Sequence, residues 1–264
     1  MITGRTRLFA LLGDPVAHSL SPAMHNAAFR ALGLDAAYLA LRTGAAEVPA
    51  VMRTLAGSGG GGNVTVPHKR LAATVVEPAD GYSLPICNTF WSEDGRIAGC
   101  ETDSIGVTKA FEALGAPGGD WLVLGTGGSA VAVARAAARL GVGLAVRSRV
   151  AERAAAFSAE AARIGAGRAS GPVGLVVNTT PLGLGPADPL PMPLGELPPG
   201  AAVLDLAYRP GGTAFSNAAR AAGRRAIDGV EVLIAQGVAA FRCWFPTVPA
   251  PTEVMRAAVA RALA

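Results

Sequence analysis

Lys69 closes the segment Asn63-Val-Thr-Val-Pro-His-Lys69, and with Lys109 it is one of only two lysines among 23 basic residues. In so arginine-rich a chain, a residue needed only for surface charge is readily Arg. An amine gives up a proton under conditions where guanidinium effectively does not. Lys69 is therefore a candidate for proton transfer, set against the plainer account of a solvated loop residue.

A second chemical signature is Gly125-Thr-Gly-Gly-Ser-Ala130, preceded by the apolar run Trp121-Leu-Val-Leu124 and followed by the alanine-rich stretch Val131 to Leu140. This is the strand, G-x-G-x-x-A turn and helix of a dinucleotide site. Gly125 and Gly127 let the backbone turn tightly against a pyrophosphate. The helix N-terminus offers unpaired N–H groups and a positive dipole end, and Ala130 is small enough for close helix packing. Arg147-Ser148-Arg149 lies at the end of the next strand, where an NAD site carries a carboxylate for the ribose 2′-hydroxyl. Guanidinium and hydroxyl groups suit a 2′-phosphate instead, so the expected cofactor is NADP.

These residues need elements to position them. Arg7 to Gly13 reads as a buried strand, Pro22 to Leu32 as a helix, Ala37 to Leu41 as a strand, Ala46 to Leu55 as a helix and Asn63 to Val66 as a strand, with Gly57 to Gly62 as a flexible lead-in. Asp94-Gly95 marks a hairpin. A helix follows from about Ser104 to Leu114, and Ala116-Pro-Gly-Gly119 reads as a linker or turn. The second half restarts with the glycine-rich unit. Val173 to Val177 and Ala202 to Asp205 are further strands, running into Asn178-Thr-Thr-Pro-Leu-Gly183 and Leu206-Ala-Tyr-Arg-Pro210. Both place polar residues at the carboxyl ends of strands, the ligand edge of an open α/β sheet. Helices around 230–244 and 252–263 close the chain.

Composition bounds the rest. The chain has 264 residues, 51% hydrophobic and 16% charged, enough for two domains with substantial cores. The N-terminus lacks a signal peptide's apolar core, and no stretch approaches a membrane span, so the expected place is the cytoplasm, with no membrane partner. The net charge of +4 comes from scattered arginines rather than a basic patch with interleaved aromatics, which speaks against nucleic acid. Cys87, Cys100 and Cys243 have no disulfide or zinc spacing and read as small buried hydrophobes. His18, His25 and His68 fall within the motifs, yet no cluster completes a metal site, so structural hydrogen bonding is their expected role and no metal is expected.

Taken together, these motifs resemble the shikimate dehydrogenase family in order over nearly the whole length. Gly13-Asp-Pro-Val-Ala-His-Ser-Leu-Ser-Pro-Ala-Met-His-Asn26 is similar to the family's substrate loop, which implies that Ser19 and Ser21 hold a substrate carboxylate. The resemblance makes Lys69 the catalytic lysine and Asp103, in Thr102-Asp103 with Gly106 nearby, its catalytic partner. It assigns Thr65, Asn88 of Asn88-Thr89, and Gln236 of Gln236-Gly237 to the substrate. Cofactor binding falls to Gly125, Gly127, Gly128, Ser129, Ala130, Arg147, Ser148, Arg149, Asn178, Thr179, Leu206, Tyr208 and Gly229. The implied fold is an N-terminal α/β substrate and catalytic domain, residues 1–104 and 233–264, plus a Rossmann-type NADP-binding domain, residues 105–232, with a cleft between them.

The implied reaction is reversible NADPH-dependent reduction of 3-dehydroshikimate to shikimate, in chorismate and aromatic amino acid biosynthesis. The partner is then a small anionic cyclic polyol acid, and the protein a monomer or homodimer. The chain departs from the family pattern at Glu101, at Pro85-Ile-Cys87, and at Glu231 and Val232. Added carboxylates are unexpected beside an anionic substrate, so two alternatives stand. One is a paralogue acting on quinate or an amino-shikimate analogue; the other is a noncatalytic NADP-binding sensor of the same fold.

Overall fold

The computed structural model describes residues 2–79, 81, 84–183, 185 and 188–264. They form two compact units, one of residues 1–102 with 234–262 and the other of 103–233 with 263–264.

The first unit contains β1 (Arg7–Gly13), α1 (Ser21–Ala31), β2 (Ala36–Arg42), α2 (Val48–Gly57), β3 (Gly61–Val64), α3 (Lys69–Ala73), β4 (Glu77–Pro78), β5 (Thr89–Glu93) and β6 (Arg96–Cys100). Its sheet has the order β2-β1-β3-β5-β6-β4. Strand β1 runs parallel to both β2 and β3, whereas β5 is antiparallel to β3 and β6. Because β1 lies between two strands, its residues from Phe9 onward are buried, which explains its unbroken apolar run. The β5–β6 hairpin turns through Asp94 and Gly95, at φ 49° and 77°, the positive values an Asp-Gly turn supplies.

Two expectations need correction here, and a third is narrowed to one of its alternatives. The 57–62 glycine run is not a loose lead-in, because Gly61 and Gly62 belong to β3 and are buried. A Cβ on Gly62 would strike the Ala10 carbonyl, and one on Gly61 the Phe90 carbonyl, so this strand passes between its neighbours only without side chains. The strand also stops at Val64 rather than Val66, since the chain must turn to start α3 at Lys69. The Ala116–Gly119 segment is a turn inside the second unit, with Ala116 and Gly119 at positive φ, and not a linker between units.

The second unit contains α4 (Asp103–Ala113), β7 (Asp120–Leu124), α5 (Gly128–Leu140), β8 (Gly143–Arg147), α6 (Ala151–Arg163), β9 (Gly167–Arg168), β10 (Val173–Asn178), β11 (Ala202–Asp205), α7 (Ala214–Ala221) and β12 (Ala226–Ile227). Its sheet order is β12-β11-β10-β7-β8-β9, with every pair parallel. The order reverses between β7 and β10, which makes their carboxyl ends the switch point of a Rossmann-type sheet. Helix α5 is alanine-rich because it is buried nearly all round, Ala130 to Ala134 and Ala136 to Ala137 being inaccessible. Two helices complete the chain, α8 (Val230–Trp244) and α9 (Thr252–Leu263). Among the described residues no helix is long and apolar enough to cross a membrane.

Candidate active site

In the first unit the chain from Thr65 to Lys69 is a turn held against the loop that follows β1. The Thr65 N–H donates to the Leu12 carbonyl at 2.8 Å, and the Asp14 N–H donates to the Val66 carbonyl at 3.1 Å. Gly13 has no room for a side chain, since a Cβ there would meet the Thr65 methyl. This close approach brings half-buried Thr65 beside the loop carrying Ser19 and Ser21. Ser19 is half-buried, Ser21 is buried at the start of α1, and the Ser21 N–H donates to Ser19 Oγ at 3.2 Å. Pro22 then pre-sets the first helical turn.

Lys69 is only 7% exposed, which removes the account of a solvated loop lysine. Its carbonyl accepts the Cys87 N–H at 2.9 Å, so the lysine's backbone is tied to the residue preceding Asn88. Asn88 is the hub of a buried polar network. Its Oδ1 accepts the Thr102 N–H at 2.7 Å, and its Nδ2 donates to Thr102 Oγ1 at 3.0 Å. From the other side, Asn63 Nδ2 donates to the Asn88 carbonyl and to Thr89 Oγ1, both at 3.0 Å, while Asn63 Oδ1 accepts from the Tyr38 hydroxyl at 2.7 Å. A buried network with so many bonds made resists rearrangement, because each lost partner leaves a desolvated polar atom. Asp103 is the next residue after Thr102 and the first of α4. Gln236 is buried on α8, where Gly237 allows the helix to close on α1, since a Cβ there would meet the end of Met24.

The histidines divide by environment. His68 is buried, and its Nε2 lies 2.7 Å from the Thr43 carbonyl, to which it donates. His18 is exposed. His25 departs from the expected structural hydrogen bond. Its ring is fully buried against Tyr38 at 4.6 Å and Trp244 at 4.9 Å, with no hydrogen-bond partner among the described residues. Burial pushes it down to about 3, so it is a neutral aromatic in the packing rather than a proton carrier. Among the described residues there is no group of three or more His, Cys, Asp or Glu that could hold a metal ion.

In the second unit, Gly125 follows β7 at φ 111°, and a Cβ on it would lie 2.6 Å from Thr179 Oγ1. Thr179 donates through that hydroxyl to the Leu124 carbonyl at 2.7 Å, so the turns after β7 and β10 are locked together at the switch point. Helix α5 begins with Gly127 as its cap and no side-chain capping bond, leaving its end available to an anion. Gly128 and Ser129 are half-buried in that first turn, and Ala130 is buried. Asn178 is fully buried: its Nδ2 donates to Asp205 Oδ1 at 2.8 Å and its Oδ1 accepts from Thr180. Its side chain therefore braces β10 against β11. Burial raises the Asp205 carboxyl above its ordinary range, against the bonds it accepts. The Leu206 N–H donates to the Asn178 carbonyl at 3.0 Å. Gly229 donates to the Ala207 carbonyl, and a Cβ on it would strike the Leu206 carbonyl. Tyr208 is half-buried in the same segment.

Arg147 and Arg149 are exposed at the end of β8, with Ser148 between them half-buried. Arg147 is paired with Glu196, which lies in a 3-10 turn at Leu194–Glu196. Sequence reasoning missed this partner, and a single Glu in a proline-rich stretch 49 positions away gives no signal for it. It also missed Asn63 as a hub and the meeting of Cys100 with Cys243, whose sulfurs are 3.7 Å apart. Cys87 alone is the fully buried cysteine; the other two are partly exposed, because one ends an inner strand and the other lies on α8 near the surface.

A parallel sheet with a glycine turn at its switch point, an uncapped helix and arginines after the next strand places the second unit in the class of Rossmann-type dinucleotide-binding folds. Comparison with known proteins narrows this class. The family model for the shikimate dehydrogenase substrate binding domain matches residues 11–86, and that for the shikimate 5′-dehydrogenase C-terminal domain matches residues 229–260. The shikimate dehydrogenase (NADP(+)) of Rubrobacter xylanophilus is 39% identical over 97% of this chain and 96% of its own. A crystal structure of a shikimate dehydrogenase in complex with NADP+ is similar at a TM-score of 0.88, with 30% identity, covering 100% of this chain and 98% of the other. The Thermus thermophilus shikimate 5-dehydrogenase, solved with NADP(H) and shikimate, matches at 0.85 with 35% identity over 99% and 100% of the two chains. The chain belongs to the shikimate dehydrogenase family.

Proposed function

We propose that this protein is an NADP-dependent shikimate dehydrogenase, reversibly reducing the 3-keto group of 3-dehydroshikimate in the route to chorismate and the aromatic amino acids. The observation that carries this reading is the continuous path from buried Lys69 through Cys87, Asn88 and Thr102 to Asp103, in a chain of this family. Those bonds fix the backbone of the lysine and of the residue preceding the aspartate, the preorganisation that positioned proton transfer requires.

The residues present suit NADP. Gly125 provides a turn that a side chain would fill, the start of α5 has no side-chain cap, and Arg147, Ser148 and Arg149 offer donors matched to a 2′-phosphate. Gly127, Gly128, Ser129 and Ala130 would hold the pyrophosphate, and Thr179, Leu206, Tyr208 and Gly229 would line the nicotinamide end, with Asn178 shaping that edge from within. When bound, the reduced cofactor supplies the hydride.

Ser19 and Ser21 donate hydrogen bonds to the substrate carboxylate, while Thr65, Asn88 and Gln236 engage its ring hydroxyls. As the ketone carbon becomes an alcohol, Lys69 delivers a proton to the oxygen, and Asp103 orients the amine and shares the proton-transfer network. The unit of residues 1–102 with 234–262 accordingly carries Lys69 and the substrate residues, and the other, which begins with Asp103, carries the cofactor residues. Buried Glu101 and half-buried Glu231 add carboxylates that shikimate itself does not call for. The reading is tested by following NADPH in steady state with shikimate, quinate and an amino-shikimate analogue. The highest kcat/KM is expected with shikimate and NADP. A clear preference for quinate or the amino analogue moves the protein to a paralogous activity, and cofactor binding without turnover of any substrate leaves a sensor.

A further inference from the structure

Cys100 and Cys243 are far apart in sequence, yet their sulfurs lie 3.7 Å apart within the first unit. A disulfide bond needs the sulfurs only about 1.7 Å closer than this. Both residues are partly exposed. The third cysteine, Cys87, is fully buried, and its thiol donates to the Thr89 carbonyl at 3.2 Å.

We propose that Cys100 and Cys243 are a redox modification site, forming a reversible disulfide by exchange with low-molecular-weight disulfides. Either sulfur can donate in the contact; with Cys100 as the donor, the bond, with burial, raises Cys100 and lowers Cys243. Cys243 is then the attacking thiolate. Its sulfur displaces one half of the small disulfide as a thiol and forms a mixed disulfide. Cys100 loses its proton, attacks the Cys243 sulfur and releases the second half. Two electrons and two protons pass from the pair to the small disulfide, which becomes two thiols.

The site is placed to act on the polar network described above. Cys100 ends β6, and its carbonyl accepts the Asn88 N–H at 3.2 Å, two residues before Thr102. Cys243 lies on α8 two turns beyond Gln236, on the same helical face. The crosslink therefore ties the helix carrying Gln236 to the strand end that leads into Thr102.

The purified full chain treated with glutathione disulfide tests this by intact mass and by non-reducing peptide mapping. The expected product has lost two hydrogens, links the Cys100 and Cys243 peptides, and returns to the starting mass with dithiothreitol. C87S forms the same link, whereas C100S and C243S each stop with one glutathione on the remaining partner thiol. A wild-type chain that stays fully reduced, that accumulates only mixed disulfides, or that links through Cys87 overturns the proposal. None of these readouts depends on the enzyme's substrate.

Discussion

The guanidinium of Arg147 and the carboxylate of Glu196 form an ion pair that joins the end of β8 to the 3-10 turn at Leu194–Glu196, each side chain about half exposed at 49%. Exposed pairs of this kind are worth at most about 1 kcal/mol and weaken with salt. A 2′-phosphate carries more charge and more acceptors than a carboxylate, so one bound as proposed would displace Glu196 from the arginine.

Glu196 is thus expected to temper cofactor affinity. E196Q should lower the KM for NADP by about two- to threefold and leave that for NAD unchanged, whereas R147A should raise the KM for NADP by about tenfold or more, the loss of one charge-assisted hydrogen-bonded contact. Parallel steady-state measurements with both cofactors check this. An E196Q enzyme with weaker NADP use would make Glu196 a support for Arg147 rather than a competitor.

For Lys69 the expected signature is in turnover and not in cofactor binding. K69A should reduce kcat by about 10²–10⁴ with NADP affinity intact, and K69R should not restore it, because guanidinium keeps the charge without giving up the proton. Single-turnover kinetics with a fluorescence titration of NADPH separate the two. Near-normal turnover in K69A would remove the lysine from the mechanism.

The two glycines of the nucleotide turn should behave differently. Gly125 sits at φ 111° and against Thr179, so G125A should cost about 1–3 kcal/mol of stability as well as cofactor affinity. Gly127 has ordinary φ of −81° and nothing within 4 Å of a built Cβ, so G127A should melt within about 0.5 kcal/mol of wild type. It should nevertheless bind NADP more weakly, since the added methyl occupies the space proposed for the pyrophosphate. Melting curves with and without NADP distinguish a structural glycine from a ligand-facing one.

Buried His25 gives the protein an acid sensitivity of known sign. Burial depresses its folded value from 6.5 to about 3, so the unfolded chain takes up a proton over a range where the folded one does not. Stability is complete above about pH 6.5 and falls as the pH drops toward 3; by pH 5 the loss from this group is about 2 kcal/mol. Denaturant unfolding of wild type and H25L at pH 7 and pH 5 checks this. The variant should be less stable at pH 7 but should lose less on acidification.

Much of this architecture was legible in the chain. Strand β1 announced itself because a strand with a partner on both sides is apolar throughout, and the β7–α5 turn because few other sequences place glycines at that spacing between a strand and a helix. The glycines of β3 misled for a physical reason: Gly is read locally as flexibility, whereas here it answers the carbonyls of Ala10 and Phe90. Short elements such as β4, β9, β12 and α7 left no usable period, since two to eight residues do not repeat a pattern often enough to be distinguished from loop.

Sequence alone determined the family-like order of motifs, the Rossmann-type second half, and Lys69 as the residue to explain, because residue type and short-range spacing carry that information. Tertiary structure decided the rest. It showed that Lys69 is buried, that Cys87 and Asn88 join its backbone to Thr102 with Asn63 bonded to Asn88, that Glu196 occupies Arg147, and that two cysteines read as small buried hydrophobes face each other. Each of these depends on which distant segments the sheets and helices bring side by side. That is set by the packing of the whole chain, and no local pattern encodes it.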